Sequence, residues 1–140
     1  MLDEIEYSRW MKSAELTARS ARDDLRAGSY NWVCFKAHQA VEKALKALLW
    51  GCGRPRTGRS LVRLLRSVAE LGIEVPEEIE EHCARLSKYY GITRYPNMWE
   101  SGIPEEYFTR GEAEEALERC ERVLEWVERV WRELSKSAKP

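Results

Sequence analysis

The segment 88–97 concentrates side chains that can bind a phosphorylated ligand. It contains one lysine, one arginine and three tyrosines: Lys88, Tyr89, Tyr90, Arg94 and Tyr95. A tyrosine ring offers a stacking face and a hydroxyl, whereas an arginine offers a planar fork of donors that matches a phosphate. The composition therefore suits a nucleobase or a nucleotide. It suits equally well a loop that aromatic packing holds against the rest of the fold.

An arginine-only stretch precedes this segment. Five arginines lie between residues 51 and 68, where no acidic residue occurs: Arg54, Arg56, Arg59, Arg63 and Arg66. Residues 59, 63 and 66 are spaced to share one helix face. The stretch could bind the phosphate of a nucleotide or of an RNA backbone, and we take Arg54, Arg56 and Arg59 as second-rank phosphate contacts. The alternative is a solvated face that pairs with the glutamates between 70 and 81.

A third group of polar residues follows helical spacing: His38, Gln39, Glu42 and Lys43. His38 and Glu42 are four residues apart, so their side chains can touch on one helix face. We expect a histidine–glutamate hydrogen bond or a polar contact between helices. A metal site is not expected, because His82 is the only other histidine and no third ligand has suitable spacing. We predict neither a metal nor a cofactor.

Common catalytic motifs are missing from the sequence. It contains no P-loop, GxGxxG, GxSxG or HExxH pattern, so no motif demands an enzyme. The four cysteines, at 34, 52, 83 and 120, form no CxxC pair and match neither a zinc site nor a disulfide framework. Cysteines spaced in this way are typical of unpaired thiols in a reducing compartment, and three of them fall beside apolar helical stripes.

The elements that must position these residues are helices. Apolar residues recur at helical spacing over 7–25, 33–49, 61–71, 79–90 and 113–134, and no segment alternates as a strand does. The predicted breaks and caps are Gly28, Ser29 or Asn31, Gly51 to Pro55, Thr57 or Ser60, Gly72, Pro76, and Thr109 with Glu112. A loop of about eighteen residues, 91–108, is long enough to be functional. We predict an all-α, five-helix up-and-down antiparallel bundle over residues 1–135 and a frayed tail over 136–140.

Length and charge limit the functions that remain. The chain has 140 residues and a net charge of -1, which indicate one domain without an overall basic field. Its six tryptophans exceed what one small core needs and favour an oligomer or partner interface. No apolar run approaches the ~18 residues of a membrane span, and the acidic first ten residues lack the apolar core of a signal peptide. We predict a cytoplasmic protein without membrane association.

Several of these features together resemble the HEPN family (higher eukaryotes and prokaryotes nucleotide-binding domains). The signature helix of that family is similar to segment 37–48, AHQAVEKALKAL. The turn Thr93-Arg94-Tyr95-Pro96, the glutamate-rich last helix from Thr109, and Tyr30 after a long first helix also fit. The resemblance covers nearly the whole chain. It implies a helical bundle similar to the substrate-binding domain of nucleotidyltransferases, a homodimer, and a separately encoded small nucleotidyltransferase as partner in a toxin–antitoxin-like pair.

The resemblance also provides a test for catalysis. Toxic members of the family are metal-independent ribonucleases with an arginine, four to six residues, and then a histidine. His38 would need an arginine at 31–33, which are Asn, Trp and Val; His82 would need one at 75–77, which are Val, Pro and Glu. The leading hypothesis is therefore a non-catalytic subunit that binds a nucleotide, RNA or a partner at the candidate residues above. The alternatives are a ribonuclease with an atypical site and a purely structural dimeric adaptor.

Overall fold

Five helices build the protein, a computed structural model of which describes residues 1–138. They are α1 (Glu4–Ala27), α2 (Tyr30–Gly51), α3 (Leu61–Glu70), α4 (Glu77–Leu86) and α5 (Arg110–Ser137). Helices α1 and α2 pack as a hairpin, α5 packs along both, and the shorter α3 and α4 rest on α2 and α5 respectively. No strand occurs in the described residues. The prediction of an all-α, five-helix antiparallel bundle is confirmed.

Helix α2 forms the centre of the core. Its alanines at 37, 40, 44 and 47 are completely buried, as are the larger side chains of Leu45, Leu48 and Leu49. Because alanine is small, α1 and α5 can approach the α2 backbone closely, while the leucines fill the space between the helices. From this central position the polar side chains of α2 contact α1, the loop after α4 and the loop before α3.

Local signals set most helix ends. The hydroxyl of Ser60 accepts a hydrogen bond from the Arg63 amide, and that of Thr109 accepts one from the Glu112 amide, as predicted. Asp3 caps α1 in the same way, a cap that the sequence did not lead us to expect. The capping box at Thr109 is only half formed, because the Glu112 carboxylate accepts a hydrogen bond from the Tyr89 hydroxyl instead.

The C-terminal end differs slightly from the expectation. Helix α5 continues to Ser137, two residues beyond the predicted end at 135. Residues 139 and 140 lie outside the described residues, so fraying of the tail 136–140 stays a prediction, as does the domain limit. Within residues 1–138, none of the helices combines the length and the apolar character that crossing a membrane requires.

The cysteines are thiols with different surroundings. Cys34, Cys83 and Cys120 are buried and Cys52 is half-buried, and all four are free. Burial raises the pKa of each of the three buried thiols to about 12. Such thiols stay protonated at neutral pH and pack as small apolar groups, as the sequence indicated.

The long loop between α4 and α5 is ordered by its own side chains. It contains short 3₁₀ turns at Pro96–Met98 and Pro104–Glu106. The Trp99 indole stacks on the Tyr107 ring with centroids 4.1 Å apart and donates a hydrogen bond to the Ile92 carbonyl at 2.7 Å. The loop therefore has a defined conformation in which it presents the residues around Arg94.

Candidate functional site

Arg94 lies among aromatic side chains. Its guanidinium carbon is 4.2 Å from the Phe35 ring centroid, 4.7 Å from that of Tyr90 and 4.8 Å from that of Tyr95. A cation within about 6 Å of an aromatic face is attracted by the electrons of the ring. The Arg94 cluster, as we call it, comprises these four residues and two neighbours described below, His38 and Arg59.

Two buried polar residues hold the backbone on which Arg94 sits. Thr93 is completely buried, and its hydroxyl donates a hydrogen bond to the Tyr89 carbonyl at 2.9 Å. The side-chain amide of Asn31, near the start of α2, donates to the Thr93 carbonyl at 3.0 Å. Arg94 itself donates from Nε to the Tyr90 carbonyl at 3.1 Å. These bonds fix the direction of the guanidinium, and no side chain or carbonyl within residues 1–138 accepts a hydrogen bond from its terminal nitrogens, which can therefore bind a ligand.

A second guanidinium contacts the same tyrosine. The Arg59 guanidinium carbon is 5.3 Å from the Tyr90 ring centroid, and its Nη1 donates a hydrogen bond to the Tyr90 hydroxyl. Within residues 1–138 neither Arg59 nor Arg94 forms an ion pair with a carboxylate. Two cations that share one ring without a counter-charge make a site where an anion is favoured.

His38 lies beneath this pair of arginines. Its side chain is only 2% exposed, and its ring centroid is 5.8 Å from that of Tyr90. Burial lowers the pKa of His38. The charge of Glu42 and a hydrogen bond to the Arg59 carbonyl raise that pKa, whereas the charges of Arg94 and Arg59 lower it further. The contact differs from both expectations for this histidine, because its backbone partner Arg59 lies in the loop before α3 rather than in a helix.

The other predicted residues of α2 contact α1 or their own helix. Glu42 accepts a hydrogen bond from Lys46 at 2.9 Å rather than from His38. Lys43 donates to the Thr17 hydroxyl on α1 at 2.9 Å. Gln39 is half-buried on the same helix. Lys43 therefore serves the contact with α1, whereas Glu42 bonds to Lys46 and still lies close enough to His38 for its charge to raise the pKa of that histidine.

Tyr89 and Lys88 lie against α5 instead of the Arg94 cluster. The Tyr89 hydroxyl donates to the Glu112 carboxylate at 3.0 Å, and its ring packs on Phe108. Burial, the charges of Cys34 and Glu112, and that hydrogen bond all raise the pKa of Tyr89. Lys88 is exposed and lines a surface cavity together with Tyr89 and Glu112. Neighbours in sequence thus serve different parts of the fold, because the chain leaves α4 through a tight 3₁₀ turn.

All five arginines of the arginine-only stretch are exposed. Arg54 and Arg56 lie in the loop before α3, where Arg56 donates to the Pro55 carbonyl, and the residues at 63 and 66 lie on α3. In the part of the chain that the structure describes, no ion pair joins this stretch to the glutamates at 70–81. Two of those glutamates have other partners: Glu78 contacts His82, and Glu81 contacts Arg119. Among the described residues, the pairing with glutamates 70–81 that the solvated-face alternative expected is therefore not formed.

Two residues of the site were missed by sequence reasoning. Phe35 provides the ring nearest to Arg94, and Asn31, considered only as a helix cap, ties α2 to the loop. Asn31 had a detectable signal, because it lies three residues before Cys34 and seven before His38 on a buried helix face. A polar residue at such a position needs a hydrogen-bond partner, and that partner can come from a distant segment.

Comparisons with known proteins agree on one family. The model of the HEPN domain matches residues 7–130. The chain is similar to the crystal structure of TT1696 from Thermus thermophilus, with 39% identity, a TM-score of 0.85, and coverage of 88% of this chain and 96% of that one. It is also similar to ST0689, an archaeal HEPN homologue, with 34% identity, a TM-score of 0.74, and coverage of 87% and 94%. An HEPN domain protein from Thermotoga maritima (tm0613) is similar as well, with 29% identity, a TM-score of 0.72, and coverage of 89% of this chain and 98% of that one. No curated protein matches.

Proposed function

The chain belongs to the HEPN domain family, and from this premise we propose that it is a non-catalytic binding subunit that holds a nucleotide at the Arg94 cluster. The observation that carries the proposal is the Arg94 guanidinium, which three aromatic rings surround and no carboxylate neutralises within residues 1–138. In this proposal the subunit acts as a homodimer and with a small nucleotidyltransferase.

Each member of the Arg94 cluster has a role in the proposed complex. The terminal nitrogens of Arg94 and Arg59 bind phosphate oxygens, since a guanidinium matches two of them at once. Tyr95, whose side chain is 50% exposed, offers its ring to the base. Arg54 and Arg56 extend the positive charge along the preceding loop. We assign no ligand contact to Tyr89, Glu42 or Lys43, because each already has an intramolecular partner.

Calorimetric titration with ATP, GTP and a short RNA tests the proposal. We expect Arg94→Ala to raise the Kd at least about tenfold, because hydrogen bonds to charged groups contribute about 1.5–3 kcal/mol each. Arg94→Lys keeps the charge but loses the planar fork, so its Kd should lie between that of wild type and that of Arg94→Ala. Arg9→Ala, which removes an exposed arginine on α1, is the control. If wild type binds none of the three ligands, the nucleotide part of the proposal is wrong.

The same titration separates the binding subunit from a structural adaptor. In an adaptor the tyrosines only pack the loop, and the contacts of Tyr90 and Trp99 are compatible with that role. A Tyr95→Ala protein that melts at a lower temperature, yet binds every ligand as wild type does, would favour the adaptor. A protein with unchanged Tm and weaker binding favours the proposed site.

One observation favours a second candidate, a metal-independent ribonuclease. The required arginine–histidine spacing is absent, yet the fold brings the His38 ring within 5.8 Å of Tyr90, which both arginines contact. A neutral imidazole could take the proton of a 2′-hydroxyl while a guanidinium stabilises the charged phosphate. RNA reaches this histidine only if the side chains that bury it move aside, because His38 is 2% exposed.

Incubation with total RNA in metal-free buffer decides between these two functions. We expect intact RNA with wild type, because the imidazole is inaccessible. Cleavage that disappears in Arg94→Ala but persists in Arg9→Ala would replace the binding subunit with the ribonuclease.

The protein partner is the remaining part of the proposal. A small nucleotidyltransferase would meet an exposed surface at Tyr95 and the arginine-only stretch. If the reading frame beside this one encodes such an enzyme, the toxin–antitoxin-like pair is supported. An isolated gene counts against it.

A further inference from the structure

A groove separates α3 from α4 on the outer surface of the bundle. Its volume is about 620 Å³, and apolar side chains form its floor, among them the buried Leu65 and Cys83 and the half-buried Val75. Val62, on the α3 side, is 42% exposed. Apolar side chains exposed in a groove are stabilised when another surface covers them. No residue discussed as part of the Arg94 cluster lines this groove.

The two sides of the groove carry opposite charges. Arg66 lies on the α3 side, and Glu77, Glu80 and Glu81 lie on the α4 side. In residues 1–138, Arg66 forms no ion pair with any of them, and Glu81 contacts Arg119 at 3.5 Å. These charges can therefore form ion pairs with another surface, provided that it places acidic residues opposite α3 and basic residues opposite α4.

A second copy of this chain has that arrangement. A two-fold rotation about an axis that lies in the interface and runs along the groove places the α3 side of each copy opposite the α4 side of the other. Every arginine–glutamate contact then occurs twice, because a two-fold interface is self-complementary. A partner that was uniformly basic or uniformly acidic would match only one side of the groove. The charge pattern thus favours a second copy over a foreign partner.

We infer that the α3–α4 face is the homodimer interface of this protein, with Val62 of each copy inserted into the groove of the other. Val62, Arg66 and Ala69 follow one another at spacings of four and three residues, so they form one stripe along α3. This inference rests on the proposed function, in which the subunit is dimeric, and names the face that the dimer uses.

The size of the face determines how strong the dimer is. Helices α3 and α4 have ten residues each, so each is about 15 Å long. A face built on two such helices lies at the small end of specific interfaces, which bury about 800 Å² per partner. We therefore expect a reversible dimer with a Kd on the order of micromolar that weakens as salt screens the ion pairs.

Charge reversal tests the proposed face by sedimentation equilibrium. Arg66→Glu and Glu80→Arg should each raise the dimer Kd at least about tenfold, because each places like charges opposite one another twice. Mixing the two variants in equal amounts should restore a dimer with the wild-type Kd. In the mixed dimer both contacts again join an arginine to a glutamate, so recovery requires these two positions to face each other.

Insertion of Val62 is tested by Val62→Asp, with Leu16→Asp as the matched control. Leu16 is similarly exposed, at 46%, but lies on α1. We expect Val62→Asp to be monomeric and Leu16→Asp to dimerise as wild type does, with the same circular dichroism spectrum for both. Any one of three results overturns the inference: wild type is monomeric, the mixture of charge-reversed variants does not recover the dimer, or Val62→Asp still dimerises. Calorimetry with ATP on Arg66→Glu separates the two proposals. A monomeric variant that still binds ATP keeps the nucleotide site independent of the dimer face.

Discussion

Replacing Gly51 with alanine is expected to lower the free energy of unfolding by about 3 kcal/mol. A methyl group on this residue would lie 2.5 and 2.7 Å from two ring atoms of Trp131 and 3.0 Å from Cβ of Tyr7. Carbon atoms in contact are normally about 3.5–4.0 Å apart, so the tryptophan would have to move. It has little space to do so, because its ring stacks on Tyr7 with centroids 4.1 Å apart, and both side chains are 8% exposed.

Urea unfolding of Gly51→Ala and Gly111→Ala measures this effect. Gly111 lies in the first turn of α5, and a methyl group there meets no atom within 4 Å. Alanine in a helix is favoured over glycine by about 0.5–1 kcal/mol, so Gly111→Ala should unfold at equal or higher urea concentration. The same backbone gain occurs at Gly51, where the clash outweighs it. Equal midpoints for the two variants would mean that α5 shifts away from α2 without loss.

The same residue shows which parts of the fold were predictable. The sequence indicates that α2 ends at Gly51, because glycines and a proline follow, and this local signal is correct. The close packing against Trp131 could not be predicted, because that contact joins residues 80 positions apart in different helices. Helix periodicity and the caps at Ser60 and Thr109 are local properties. Contacts between helices depend on how the whole bundle packs.

The candidate site was predictable to a similar extent. The composition of segment 88–97 identified Arg94, Tyr90 and Tyr95, which the fold does bring together. It could not separate them from Tyr89, because helix and turn geometry direct adjacent side chains to opposite sides. Along the chain, no arginine precedes either histidine at the spacing of the ribonuclease motif. In space His38 and Arg94 are close enough for the charge of one to affect the pKa of the other.

Acidification is expected to destabilise the protein through His38, beginning near the ordinary histidine pKa of about 6.5. Burial lowers the pKa of His38 and outweighs the charge of Glu42 and the hydrogen bond to the Arg59 carbonyl, which raise it. Protonation would also place an N–H group where it has no acceptor, because Nδ1 has no hydrogen-bond partner within residues 1–138. The imidazole in the folded protein is therefore neutral at neutral pH.

The sign of the effect follows from proton uptake. Below about pH 6.5 the unfolded chain binds a proton at His38 that the folded protein does not, so stability is complete above that pH and falls as the pH decreases. One proton corresponds to a loss of at most about 1.4 kcal/mol per pH unit, until the pH passes the lowered pKa of the folded state. Chemical unfolding of wild type and His38→Gln across this range isolates the contribution, because the carboxylates titrate in both proteins.

We expect the stability advantage of wild type over His38→Gln to be constant above about pH 6.5 and to shrink below it. His82→Gln, which replaces the other histidine of the chain, on α4, is measured in parallel as the matched control. If stability falls with pH equally in wild type and His38→Gln, the imidazole takes up its proton as readily in the folded protein as in the unfolded chain, which would contradict the prediction. The charges of Arg59 and Arg94 lower the pKa of His38, so a phosphate bound between them raises it. Saturating ATP should therefore reduce the acid-induced loss in wild type, which connects the pH profile to the proposed binding site.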